Sequence, residues 1–245
     1  MIDYRGISQR GNSRKGNNQD CIFMRSTESN GIFAISDGMG GLPNGELASQ
    51  RVIDAIQCWW EESSFLLKNR PITVCIDELE RELSEVNNIL YADKQLGGAT
   101  IVLLLIVGNA YAILNAGDSR IYFKDIDEDL LQMSSDDIWE NDTGFTQGLT
   151  DIQIQTSRER GKLTNAVGVT EEFIPSTNTG SLHKKSLFLL MSDGIYKFCP
   201  SKILSKAAES AFDSNHLESA EEEIVQAVYA HGAKDNLSLI VVSFR

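Results

Sequence analysis

Aspartates recur where apolar runs stop. IFAISDG closes one run on Asp37-Gly38, AILNAGDSR closes another at Asp118, and LFLLMSDG a third on Asp193-Gly194. Asp235-Asn236 directly precedes LSLIVVSF, and Asp20 follows GNNQ just before Cys21-Ile22-Phe23. A single such end says only that the chain turns; their recurrence points to a shared site. Strand ends are rigid enough to fix ligand geometry, and adjoining loops leave room for a substrate. Carboxylates held close together raise one another's pKa, and a divalent cation reverses that penalty. The chemistry expected of such a gathering is that of Mg²⁺ or Mn²⁺ bound through oxygen. His183, His216 and His231 form no HxxxH or HExxH pattern, and the cysteines form no CxxC pair, so zinc has no ligand set here.

The elements that must position these acids can be read from periodicity. Gly31–Ile35 is a short apolar strand running into Ser36-Asp37-Gly38, and MGGLPNG after it is rich in turn formers. From Glu46 to about Trp60 the apolar spacing is helical, with Ala48, Val52, Ala55, Ile56 and Trp59 on one broad face. A second helix is expected over Ile72 to Tyr91, with Pro71 at its start. The period then changes. Ala99–Val107 and Ala110–Ala116 read as a hairpin around Gly108-Asn109, Ile121–Phe123 as a further strand, and Ser186–Met191 as a buried strand. Ile203–Phe212 and Ala220–Tyr229 read as helices, and Leu237–Phe244 as the last strand. Ser134 to Arg160 is polar and weakly periodic, a candidate surface excursion beside a site. Strands and helices do not alternate as in a βαβ chain. Two mainly antiparallel sheets with helices packed outside fit the order best, an α+β sandwich in a single domain over residues 1–245.

Composition narrows the function. The net charge of −13, from 35 acidic and 22 basic residues, argues against nucleic acid as a partner. The basic residues at the start, Arg5, Arg10, Arg14 and Lys15, read either as a solvated arm or as an anion-binding edge. Cys21, Cys58, Cys75 and Cys199 lie far apart, which fits a reducing, cytoplasmic setting. The longest apolar run, Ile101–Val107, is too short to span a bilayer, and the N-terminus has no apolar signal segment. The DGMGG stretch lacks the spacing and lysine of a nucleotide-binding loop, so Met39, Gly40, Gly41 and Gly45 are expected to shape the backbone. Trp59 and Trp60 are expected to pack the helix rather than to form a ligand platform.

Six segments then carry a family pattern in order: FAISDGMGGLPNGELAS, GGAT, AGDSRIY, LTNAVG, LLMSDGIY and KDNLSLIVV. Together they resemble the PPM/PP2C family of metal-dependent serine/threonine protein phosphatases, in its bacterial form, over nearly the whole chain. The resemblance implies a PP2C-like β-sandwich with helices on both sides. It also implies hydrolysis of phosphoserine and phosphothreonine by water or hydroxide activated between two divalent metals, with two or three Mn²⁺ or Mg²⁺ ions as cofactors. By the same resemblance Asp37 bridges both catalytic metals and Gly38 offers its carbonyl to one of them. Asp193 and Asp235 serve the other, and Asp20 acts directly or through water. Asp118 helps to bind a third, weaker ion that Asp193 could share. The implied catalytic residues are therefore Asp37, Asp193 and Asp235. Arg14 or Lys15 is the implied phosphate-binding cation, with Arg14 preferred for its bidentate geometry and plain solvent exposure as the alternative. A phosphorylated protein is the implied substrate, and a cognate serine/threonine kinase the implied counterpart.

The chain departs from the pattern at several points. Gln19 stands where many relatives have Glu, Ala99 where they have Thr, and Met39 where eukaryotic relatives have His. MSSDD, at Met133–Asp137, lacks the His of the usual run before the flap, which is expected at about 134–160. Those departures leave open an alternative, a catalytically weak PP2C-like regulatory or phosphoprotein-binding scaffold. Ser36, Ser119 and Ser192 have no adjacent His partner, so a serine-nucleophile triad has little support.

Overall fold

The computed structural model describes residues 1–12, 16–39, 44–93, 95–126, 129–182, 185–214 and 216–245. Among them, ten strands form two five-stranded sheets, and every pairing is antiparallel. The strands are β1 (Ile2–Gln9), β2 (Asp20–Ser26), β3 (Asn30–Asp37), β4 (Ile101–Val107), β5 (Ala110–Ala116), β6 (Arg120–Lys124), β7 (Leu131–Gln132), β8 (Ser176–Ser181), β9 (Ser186–Met191) and β10 (Leu237–Phe244). One sheet has the order β1-β10-β9-β6-β7 and the other β2-β3-β4-β5-β8. The helices are α1 (Gly45–Ser63), α2 (Ile72–Ala92), α3 (Thr143–Thr146), α4 (Asp151–Thr156), α5 (Asp193–Tyr196), α6 (Ser201–Ser214) and α7 (Leu217–Ala230).

The central strands are apolar throughout because both of their faces are buried. In β3, Phe33 and Ile35 face the other sheet, where they meet Phe188, Leu190, Ile240 and Val242. Ile32 and Ala34, alternating with them, face α1 and α2 and meet Val52, Ile56, Leu79 and Leu83. The other sheet repeats the scheme: Leu187, Leu189, Met191, Leu239 and Val241 pack beneath Ala207, Ala211, Ile224 and Val228 of α6 and α7. The result is four layers, helices–sheet–sheet–helices, the sandwich expected from the order of elements. Each fully buried large apolar side chain contributes roughly 1.5–3 kcal/mol by leaving water. Trp59 and Trp60 lie in the core beneath α1 and α2, as their helical spacing predicts.

Two strands escape hydrophobic periodicity for a common reason. Residues 2–9 are not a solvated arm. They form β1, paired along its length with β10 from Ile2↔Phe244 to Gln9↔Leu237. Arg5, on this strand, bonds Glu218 of α7 at 2.8 Å instead of facing an anion. The second strand is β8, STNTGS, which is not among the elements read from periodicity. It is an exposed edge strand held by backbone pairing to β5. Neither strand has the apolar run that marks a buried one, so hydrophobic periodicity does not find them.

Candidate active site

The acids assemble at one end of both sheets. Asp20 opens β2 and Asp37 closes β3, and the antiparallel register sets them directly opposite each other. Side chains of directly opposed residues share a sheet face. Asp118 lies in the turn between β5 and β6, Asp193 begins α5 just after β9, and Asp235 lies just before β10. Asp37, Asp118, Asp193 and Asp235 line one pocket of about 420 Å³, together with Met39, Thr100, Gly161, Lys162, Leu163 and Lys197.

Backbone and hydroxyl bonds fix Asp20 and the loops that carry the other acids. Ser192 Oγ and Ser238 Oγ donate to Asp20 Oδ2 at 2.8 and 2.7 Å. Those serines belong to the sheet opposite Asp20, so this carboxylate fastens the two sheets together. The Asp37 N–H donates to Thr100 Oγ1 at 3.0 Å, and the Thr100 N–H returns a bond to the Asp37 carbonyl at 2.9 Å. Thr100 Oγ1 also bonds Ser119 Oγ at 2.8 Å, which ties the Asp37 and Asp118 loops to one hydroxyl pair. The Gly117 N–H donates to Asp137 Oδ2 at 3.0 Å and fixes the turn before Asp118; Gly117 has a φ of 109° that favours glycine. Asn236, next to Asp235, bonds two other loops. Its side chain accepts the Gln19 N–H at 3.0 Å and donates to the Arg10 carbonyl at 3.1 Å, joining the loops before β2 and β10. Gly38 lies so close to Gly45 that a Cβ would overlap the Gly45 carbonyl, which keeps its own carbonyl and the Asp37 loop tightly seated.

Burial and mutual repulsion dominate the electrostatics. Burial, then Asp20, Asp193 and Asp118, push the Asp37 carboxyl well above the usual carboxylate range. Burial is likewise the first cause for Asp20, pushed up to about 6 against the two serine hydroxyls that favour its charged form. Asp118 is raised by burial and by Asp193. Asp20 Oδ1 and Gln19 Oε1 are buried without a hydrogen-bond partner among the described residues. A buried polar atom left in that state is costly unless something else claims it. The acids face one another without forming a closed shell. Among the described residues, no three His, Cys, Asp or Glu side chains are gathered tightly enough to hold an ion as they stand.

Of the residues expected from sequence, Asp20, Asp37, Asp118 and Asp193 form one interacting group, and Asp235 lines the same pocket as Asp37, Asp118 and Asp193. Arg14 and Lys15 lie outside the described residues, as do Gly40, Gly41 and His183. Sequence reasoning missed Lys197, Tyr196 and Arg120. Lys197 Nζ donates to Asp193 Oδ2 at 2.7 Å and to Asp118 Oδ2 at 3.4 Å. The Tyr196 hydroxyl donates to Asp118 Oδ2 at 3.4 Å. The Arg120 guanidinium lies over the Tyr196 ring at 3.6 Å and grips Asp136 with Nε and Nη2 at 2.9 and 2.6 Å. The available signal was the spacing of Lys197, one helical turn after Asp193.

The Protein phosphatase 2C family model matches residues 9–239. The serine/threonine phosphatase stp of Listeria welshimeri is 24% identical over 241 residues, covering 96% of this chain and 93% of the relative. The S. agalactiae serine/threonine phosphatase structure superposes with a TM-score of 0.84 at 21% identity, over all of both chains. The catalytic domain of the serine/threonine protein phosphatase PstP, solved in complex with 2 manganese ions, superposes with a TM-score of 0.75 at 22% identity, over 100% of this chain and 99% of that one. With the family pattern spanning nearly all of its length and the acids gathered at one end of its sandwich, this chain belongs to the protein phosphatase 2C family.

Proposed function

We propose that this chain hydrolyses phosphoserine and phosphothreonine side chains of proteins, with water activated at a pair of divalent ions, Mn²⁺ or Mg²⁺. The observation that carries this reading is the buried acid group around Asp37, whose carboxyl is pushed up by burial and by Asp20, Asp193 and Asp118. Acids that resist ionisation together gain most from a cation. The donors suit a hard ion: all are oxygens, and Asp20 Oδ1 is buried and unclaimed among the described residues. In this reading Asp37 would be shared by both ions, Gly38 would serve one, Asp193 and Asp235 would serve the other, and Asp20 would act directly or through water. When bound, the ions supply a nucleophilic water at neutral pH and positive charge for the phosphoryl oxygens.

The chain's own part is orientation. Ser192 and Ser238 hold Asp20 on one oxygen and leave the other free to point inward. Thr100 holds the backbone of Asp37 from both sides. Arg14 or Lys15, a short step before Asp20 in sequence, holds the phosphoryl group. In this reading the proton for the departing alkoxide comes from water; among the described residues no histidine lines the pocket. Residues 1–245 act as one catalytic unit, with about 134–160 as a flap; Gly161, Lys162 and Leu163, just after that segment, already form part of the pocket wall. The substrate is a phosphorylated protein and the counterpart a serine/threonine kinase. A cytoplasmic setting is supported by four free cysteines. Among the described residues no helix is long and apolar enough to cross a membrane.

The test is hydrolysis of a small aryl phosphate and of a phosphothreonine peptide by the manganese-loaded protein. Wild type turns over both, and Asp193→Ala loses both by roughly 100-fold or more, the scale of several kcal/mol of lost charge stabilisation. A manganese-loaded wild type inert on both substrates would overturn the reading in favour of a binding domain.

A further inference from the structure

Lys197 sits where two of the acids converge. It follows α5 directly, so one helical turn brings its side chain back to Asp193. Its ammonium donates to Asp193 Oδ2 at 2.7 Å and to Asp118 Oδ2 at 3.4 Å. Asp118 follows a strand of one sheet and Asp193 a strand of the other, so a single ammonium joins acids from both. The seat is built rather than incidental. The Tyr196 hydroxyl reaches the same Asp118 oxygen, Arg120 covers the Tyr196 ring, and Asp136 locks Arg120 from below. Lys197 also lines the pocket.

We propose that Lys197 is a tethered cation occupying the space between Asp118 and Asp193, and that it limits this site to two divalent ions. The inference rests on the phosphatase reading above. A third ion between these two carboxylates would need their oxygens at about 2.0–2.2 Å. Lys197 already takes up Oδ2 of both, and an arriving ion would meet a positive charge almost in contact. Lys197 engages only Oδ2 of Asp193, which leaves its Oδ1 for the ion pair of the phosphatase reading. Asp118, expected from the family resemblance to help bind a third ion, has the lysine as its cation in this chain.

The experiment counts ions and does not depend on turnover. Wild type, Lys197→Met, Lys197→Gln and the double variant Lys197→Met/Asp118→Asn are dialysed to equilibrium against millimolar Mn²⁺, and bound manganese per chain is measured by atomic emission. Wild type takes two ions and both single variants take three, the third bound at least ~10-fold more tightly than any further ion on wild type. The double variant returns to two, because the third ion needs Asp118. A wild type that binds three ions, or single variants that both remain at two, overturns the role of Lys197 and leaves the phosphatase reading standing. A wild type that binds none overturns that reading, and this one with it.

Discussion

Asp20 gives the ion-free protein a stability that depends on pH in an unusual direction. Its side chain is 5% exposed, and its pKa is pushed from 3.8 to about 6, by burial first. Between those values the native state carries a proton that the unfolded chain has released. Stability is therefore fully present below about pH 3.8, falls as pH rises through about 6, and levels off above it. The rise from 3.8 to about 6 amounts to roughly 3 kcal/mol at ~1.36 kcal/mol per pH unit. Asp20→Asn keeps the shape and removes the titration. Urea unfolding in chelator, followed from about pH 4 to about pH 7, should show wild type losing roughly 2 kcal/mol relative to Asp20→Asn, less than the full value because the unfolded carboxyl is already largely ionised at pH 4. Asp20 also raises Asp37, so its replacement relieves that carboxyl in the same direction. Saturating Mn²⁺ should reverse the trend, since the ions bind the deprotonated acids and stabilise the folded state. Parallel pH curves for wild type and Asp20→Asn without metal would refute the electrostatic account of the site.

Two further outcomes test how the site is supported. A Cβ at Gly194 would overlap the carbonyl oxygen of Asn236, which is backbone and cannot yield, so Gly194→Ala should cost about 3 kcal/mol in urea unfolding at neutral pH; a loss below about 1 kcal/mol would mean that the loops holding Asp193 and Asp235 are not in contact. Arg120→Ala should cost about 3 kcal/mol by the same measurement, because it strands the buried Asp136 carboxylate, and Arg120→Lys should recover only part of that, since an ammonium lacks the fork that grips both oxygens. Equal stability of Arg120→Lys and wild type would show that charge alone supports this corner.

The layers of the fold were legible because the inner strands are buried on both faces and the helices carry one apolar face each. β9 and β10 have the bounds that their apolar runs predict, Ser186–Met191 and Leu237–Phe244, and α2 ends one residue beyond its expected limit. β1 and β8 were illegible because their partners, not their own side chains, make them strands. Within the site, the aspartates stood out by their position after apolar runs. Lys197, Tyr196 and Arg120 did not, since a lysine, a tyrosine and an arginine near a short helix read as ordinary surface until Asp118 and Asp136 are brought to them by a different loop.

By itself the sequence determined that acids would lie at strand ends, because a run of buried side chains must stop where the backbone turns to solvent and polar groups begin. It also carried, through ordered motifs, the family to which the chain belongs. Which acids face which was decided only by tertiary structure. The β2/β3 register sets Asp20 against Asp37, two serines from the opposite sheet hold Asp20 from behind, and a lysine one helical turn from Asp193 reaches across to Asp118. Contacts of that kind span up to 218 residues of chain, a separation at which local propensity carries no information and only packing brings charge to charge.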